Sequence, residues 1–327
     1  MHDYKLMPKV ELHLHLDGSV RLETVAELLN REIVDVEKDM VASDKCLDLN
    51  DYLTKFAIAG KVMQTKENLR RIAYELAFDL KKDGVIYAEI RFAPLKHILG
   101  GLNASEVVES VLEGLFQVDI KTNLILCMMR GDNEKQNMEV IDLACSFIGR
   151  GVVAIDLAGA EAIYKTYDYK NLFEYAKKLQ VPFTIHAGEA DGEDSIKSAI
   201  AFGAKRLGHG VNAIFYPKLL EEIKEQDILL EICPTSNIQT NVVKTLSEHP
   251  VRALYDTGIS ISISTDNRTV SNISLTEEYE QLEQILAFNY DDFVKMNIAA
   301  IKHAFLNDKD KALLLREYES LLNNINN

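Results

Sequence analysis

The residues best suited to chemistry stand at the start of the chain. Glu11 to Gly18 reads ELHLHLDG: leucines alternate strictly with polar residues, and two histidines sit one residue apart. In an extended strand, alternate side chains point to opposite faces. On that pattern Glu11, His13, His15 and Asp17 share one face, and Leu12, Leu14 and Leu16 share the other. Two imidazoles so placed can ligate one ion, but two protein ligands hold a metal poorly, so further ligands must come from elsewhere. The competing account is a pair of histidines hydrogen-bonded in a polar interior.

The rest of the chain supplies candidates. His186 lies in HAGE, His209 in GHG and Asp266 in STDN, each where an apolar run gives way to glycine or polar turn residues. Four of the eight histidines therefore fall at strand ends, which packing alone explains badly. The other four, His2, His97, His249 and His303, lie at the terminus, in a loop or in helical stretches, where ordinary structural roles suffice. Glu189 follows His186 by three residues, with no Lys or Arg in HAGEADGED to pair with it. Beside a metal-bound water such a carboxyl can shuttle a proton; near a helix start it can equally serve as a cap neighbour or ion-pair partner.

Positioning these residues needs a scaffold. Apolar runs occur near 10–16, 84–92, 122–129, 152–159, 181–189, 204–210, 227–237 and 259–267, mostly separated by amphipathic helical segments such as NLFEYAKKLQ. Strand and helix alternate eight times, which predicts an α/β fold of the (β/α)8 TIM-barrel type. In that fold, polar residues at strand ends face the mouth where barrels keep their chemistry. An open doubly wound sheet is the alternative, weakened because no glycine-rich dinucleotide fingerprint follows the first strand. Two helical regions exceed the simple repeat: an insertion at about 19–83, positioned to cover one mouth, and a tail from about 275. No low-complexity linker interrupts residues 1–327, so one elaborated barrel domain is expected.

Composition narrows the class of function. A net charge of −15 over 327 residues argues against nucleic-acid backbone binding, which needs concentrated positive charge. No run of about 18 apolar residues spans a membrane, and MHDYKLMPKVE lacks an apolar secretory core. A cytoplasmic protein without membrane contact is expected. The widely spaced Cys46, Cys127, Cys145 and Cys233 form no CxxC pair and are expected to be reduced core thiols.

HLHLDG, DLAG, HAGE, GHG, CPTSN and STDN, in this order, resemble the adenosine deaminase family of metal-dependent (β/α)8 hydrolases. LNDYLTKF, IAYELA and YAEIRFAP extend the resemblance over nearly the whole chain. HxH is shared by many amidohydrolases; HAGE with GHG and a late TDN is far more specific. The resemblance implies one Zn2+ per chain on His13, His15, His186 and Asp266, with a water completing the shell. His209 would lie beside that water, orienting it or assisting its deprotonation, and Glu189 would pass a proton to purine N1; with Asp266 they form the implied catalytic set. Hydroxide would attack C6 of adenosine or 2′-deoxyadenosine, giving inosine or 2′-deoxyinosine and ammonia.

On the substrate side the resemblance implies His15 and Asp17, with Asp17 on the ribose 5′-hydroxyl, the backbone N–H of Gly159 at N3, and Asn267 at N7. Many family members carry aspartate where this chain has Asn267. N7 is an acceptor, and an asparagine amide donates to it without needing a proton. Tyr52 and Phe56, one helical turn apart, suit an apolar wall or lid over the ligand, or plain packing of the insertion on the barrel. A small-molecule purine nucleoside is the expected partner, and a monomer the expected state, with a homodimer the alternative. Adenine or a 5′-modified adenine nucleoside is the alternative substrate. An amide or phosphoester hydrolase on the same barrel, and a purine-binding protein without activity, are more distant readings. The H-x-E and P-C-x-x-C layout of nucleic-acid deaminases is absent.

Overall fold

The computed structural model of the chain describes residues 3–42 and 46–325, so the expectation for His2 lies outside the described residues. Eight strands run through it: β1 Lys9–His15, β2 Val85–Phe92, β3 Lys121–Met129, β4 Val152–Ala158, β5 Ile185–Ala187, β6 Arg206–His209, β7 Leu229–Ile232 and β8 Ile261–Ile263. All neighbouring pairs are parallel, in the orders β1-β2-β3-β4 and β5-β6-β7-β8. Bridges between Ile155 and Phe183 and between Leu14 and Asp266 join the two sets. The result is an α/β barrel of eight parallel strands with interspersed helices, as expected.

Local sequence explains where several helices begin. Four start on reciprocal capping boxes: Asn103 with Glu106, Asn133 with Gln136, Ser274 with Glu277, and Asn289 with Asp292. Each box satisfies two backbone N–H groups that a helix start leaves orphaned. The insertion after β1 holds helices at Leu22–Leu29, Ile33–Met40, Leu49–Leu53 and Phe56–Val62, before the long crossover helix Lys66–Lys82.

Two expectations need correction. Regular strand covers only three or four residues of each of the last four apolar runs. In particular, CPTSN does not end β7: Pro234 opens a short helix, Pro234–Gln239, at a position where its missing N–H costs nothing. The second correction concerns Glu11. Glu11 pairs with Ala88 but Leu14 pairs with Ile90, so three residues of β1 oppose two of β2. This bulge breaks the strict alternation. Glu11 bonds the backbone N–H and hydroxyl of Thr265 instead of joining His13 and His15. Leu12 separates from Leu14 and Leu16, and its carbonyl accepts from Arg91 and Arg206 inside the barrel.

Leu12 packs with Val10, Tyr87 and Leu229 against Ala300, Ile301, Leu314 and Tyr318 of the C-terminal helices. Those helices, Tyr290–His303 and Asp308–Ile325, close the end of the barrel opposite the strand ends that carry the histidines. Of the cysteines, Cys46, Cys127 and Cys233 are buried and Cys145 is exposed, so the core expectation fails for one of four; none forms a disulfide among the described residues. Among those residues no helix is long and apolar enough to cross a membrane.

Leu314 is 1% exposed within this closing cluster. Leu314→Ala is expected to lower unfolding free energy by about 2–5 kcal/mol, the usual range for a buried leucine. Urea unfolding followed by circular dichroism reads the change; an unaltered midpoint would contradict the docking of the last helix.

Candidate active site

Closure of the barrel brings the first histidines against the last strand. The backbone N–H of Asp266 donates to the His13 carbonyl at 3.0 Å, and that of His15 donates to the Asp266 carbonyl at 2.7 Å. Asp266 itself adopts a left-handed backbone (φ 62°), as does His209 (φ 61°). Such conformations are uncommon outside glycine and cluster at functional positions. His186, in the middle of β5, completes a group with His13, His15 and Asp266 whose ligand atoms all lie within 4.8 Å of one another.

The spacing fits a metal ion. Asp266 Oδ1 lies 3.4 Å from both His13 Nε2 and His15 Nε2, and His15 Nε2 lies 3.4 Å from His186 Nε2. A tetrahedron with bonds of about 2.0–2.1 Å has edges of about 3.3–3.4 Å. Three nitrogens and one carboxylate oxygen suit zinc and neighbouring divalent ions. The rings are also held with the required nitrogen free. His13 Nδ1 is 2.8 Å from Glu231 Oε2, and His186 Nδ1 is 2.8 Å from Asp156 Oδ2. A carboxylate there keeps the proton on Nδ1 and turns the Nε2 lone pair to the centre. His13 Nε2 is buried and makes no hydrogen bond among the described residues. The group can therefore coordinate a cation.

Behind it lies a fully buried ionic frame that was not identified from the sequence. Arg91 bridges Asp156 at 2.9 Å and Glu231 at 2.8 Å, while Arg206 bonds Glu231 at 2.6 Å and also Glu89. Burial alone would raise the Glu231 and Asp156 carboxyls. The arginines, with His13 beside Glu231 and His186 beside Asp156, win and hold both well below the usual carboxylate range. Burial likewise opposes ionisation of Asp266, yet the adjacent His13 ring and the surrounding imidazoles keep it low. Counting Glu89, Asp156, Glu231 and Asp266 against Arg91 and Arg206, four carboxylates face two guanidiniums, an excess that a divalent cation would offset. The available signal was the charged residues inside otherwise apolar runs: VIYAEIRF, VVAIDLA and LLEI.

Glu189 and His209 adjoin this centre, with His209 Nε2 3.5 Å from Glu189 Oε2. Burial, then the Asp266 and Glu161 carboxylates, push the Glu189 carboxyl well above its ordinary range, although Thr240 and Asn237 bond to it. A carboxyl shifted in that direction favours its protonated form, the form that can act as an acid. Its loop is anchored by Glu161, which accepts from the backbone N–H groups of Gly188, Glu189, Ala190 and Asp191 at 2.7–3.1 Å and from the Ser195 hydroxyl. Glu161 follows DLAG by two residues and was not singled out in the sequence. The CPTSN helix contributes Ser236, which donates to Asp266 Oδ2 at 2.5 Å, and Asn237, 3.1 Å from His209 Nδ1.

A cavity of about 390 Å3 opens over these groups, within the range of roughly 300–1,000 Å3 usual for small-molecule sites. His15, Asp17, Tyr52, Phe56, Gly159, His186, Glu189, His209, Asp266 and Asn267 all line it; His13 lies beneath. Burial pushes the Asp17 carboxyl up to about 6. Gly159 is left-handed (φ 102°), a conformation that favours glycine, and leaves its backbone bare on the cavity wall. Tyr52 is more than an apolar wall: its hydroxyl accepts from Asn267 Nδ2 at 2.9 Å and contacts Ser271 Oγ at 2.7 Å, tying the insertion to the loop after β8. Gly18 admits Asn267, since a Cβ there would meet Asn267 Oδ1 at 1.8 Å. His97, assigned an ordinary loop role from the sequence, also lines the cavity, stacked on Phe92.

Comparison with known proteins agrees with this geometry. The adenosine deaminase family profile matches residues 8–320. The chain is 40% identical over 319 residues to an adenosine deaminase of Enterococcus faecalis, covering 94% of this chain and 95% of that protein. Against an adenosine deaminase of Clostridium perfringens it is 40% identical over 321 residues, covering 94% and 97%. Among solved structures, the N6-methyl-AMP deaminase of Arabidopsis thaliana superposes with a TM-score of 0.86 at 27% identity, covering 97% of each chain. An adenine deaminase from Arthrobacter aurescens shares the fold, with a TM-score of 0.88 at 23% identity, covering 97% of this chain and 99% of that one. The chain belongs to the adenosine deaminase family, as a metal-dependent hydrolase that deaminates a 6-aminopurine.

Proposed function

We propose that the substrates are adenosine and 2′-deoxyadenosine, converted with water to the 6-oxopurine nucleoside and ammonia. The observation that carries this reading is one cavity presenting Glu189, whose carboxyl burial raises, beside the His13, His15, His186 and Asp266 group and Asp17. One zinc ion, when bound to that group, supplies a water acidified towards hydroxide.

The side chains supply the remaining steps. Glu189 donates its proton to N1, which draws electron density from C6 as the oxygen attacks. The C6–N bond then breaks as the proton of the new hydroxyl passes to the leaving amine. N1 keeps its proton, and the proton shed by the water restores Glu189. His209 contacts the attacking oxygen, and Asp266, steadied by Ser236, holds its place in the ligand group. The backbone N–H of Gly159 reads N3. Asn267 has one amide hydrogen engaged by Tyr52, which leaves the other for N7. His15 borders the sugar side, where Asp17 accepts from the 5′-hydroxyl, while Phe56 and the Tyr52 ring close over the base.

Asp17 also argues against a nucleotide, because a phosphate would meet a carboxyl there. Lys96 lines the cavity but is already bonded to both oxygens of Asp132, at 2.7 and 2.8 Å, so it offers no unmatched charge to a phosphate.

Ammonia release from zinc-loaded protein given adenosine, 2′-deoxyadenosine, adenine and AMP side by side tests the assignment. Fast release from the two nucleosides alone is expected; release from adenine or AMP instead would overturn the sugar assignment. Asp17→Ala is expected to lower kcat/KM for adenosine by about 10- to 100-fold, the value of one hydrogen bond to a charged group. Glu189→Gln is expected to retain metal and ligand while turnover falls by about 10²–10⁴. Unchanged turnover in that variant would remove Glu189 from proton transfer.

A further inference from the structure

His249 lies twelve residues beyond Asn237 and outside the cavity, 3% exposed. Its hydrogen bonds determine the state of His209. The backbone N–H of Val251 donates to His249 Nδ1 at 3.1 Å. A donated N–H needs a lone pair, so Nδ1 carries no proton. Burial pushes this imidazole down to about 3, so the ring is neutral at ordinary pH and its single proton sits on Nε2.

His249 Nε2 lies 3.3 Å from Asn237 Oδ1, and with a proton on that nitrogen the partner must be an acceptor. The Asn237 amide is thereby oriented: oxygen towards His249, NH2 towards the active site. Asn237 Nδ2 then faces His209 Nδ1 at 3.1 Å. The NH2 group can only donate, so His209 Nδ1 must accept, and the ring proton of His209 is left on Nε2. That nitrogen is buried, has no hydrogen-bond partner among the described residues, and borders the cavity.

We propose that the Val251 N–H, His249 and Asn237 form a relay that holds His209 as the Nε2–H tautomer, so that His209 meets the attacking oxygen as a hydrogen-bond donor and not as a base. The proposal rests on the reading above that His209 stands beside that oxygen. Asn237 and His249 are positioning residues: neither lines the cavity, and His249 acts on the His209 ring through Asn237. The arrangement also disfavours a doubly protonated His209, whose Nδ1–H would confront the N–H of Asn237.

The direct test is nitrogen NMR of histidine-labelled, zinc-loaded protein, with His209 assigned by loss of its signals in His209→Asn. The relay predicts the His209 proton on Nε2 in the unaltered protein, a measurement that needs no variant of the relay to fold. Asn237→Asp replaces a donor with an acceptor of almost the same shape. It is expected to move the His209 proton to Nδ1 and to lower kcat by as much as about 10⁴, the cost of the wrong histidine tautomer in a serine protease triad, with zinc content and KM little changed. His249→Leu is expected to lower kcat, and His249→Gln, whose amide can make both hydrogen bonds, to restore most of it. A His209 proton on Nδ1 in the unaltered protein overturns the relay, as does full turnover in Asn237→Asp. An Nε2–H signal in a protein that releases no ammonia from any purine upholds the relay and overturns the substrate reading.

Discussion

A histidine offers a metal ion only one nitrogen, and it does so reliably only when the other nitrogen is already occupied. That requirement organises the interior of this barrel. Glu231 occupies Nδ1 of His13 and Asp156 occupies Nδ1 of His186, and a single guanidinium, Arg91, holds both carboxylates. Arg206 ties Glu231 onward to Glu89, and both arginines also bond the carbonyl exposed by the bulge at Leu12. Charges this deeply buried stabilise a fold only when every one is paired, and losing one partner typically costs about 3–5 kcal/mol. The strands are thereby locked in the register that points three imidazoles at one spot.

Around this frame the catalytic loops are held by their own hydrogen bonds. Glu161 gathers four consecutive backbone N–H groups of the loop after β5 and so sets where Glu189 points. Because Glu161 lies two residues beyond Gly159, the loop proposed to read N3 and the loop proposed to protonate N1 are fastened together. The separation of those two loops is set by protein bonds already made before a purine enters. The CPTSN helix performs the equivalent task on the other side, with Ser236 on Asp266 and Asn237 on His209.

The legibility of all this from sequence follows from the range of each interaction. Strand alternation is local, so the shared face of His13 and His15 could be read directly, and eight alternating segments predicted the barrel. Glu11 could not be placed correctly, because the bulge that turns it to Thr265 exists only in the pairing of β1 with β2. Glu89, Arg91, Asp156 and Glu231 announced themselves as charges inside apolar runs, but nothing local says which carboxylate meets which imidazole. Asn237 and His249 meet only because Pro234 starts a helix where the apolar run had suggested continuing strand. Tyr52 was legible as an aromatic over the cavity; its hydroxyl contacts with Asn267 and Ser271 depend on how the insertion docks.

The central claim is that one metal ion, held by His13, His15, His186 and Asp266, enables deamination of adenosine. The most direct measurement is a zinc titration of metal-stripped protein with adenosine present, following ammonia release against zinc added per chain. The account predicts negligible release without metal, a linear rise, and a plateau at one equivalent. Full activity in stripped protein, or a rise that continues to two equivalents, would contradict it.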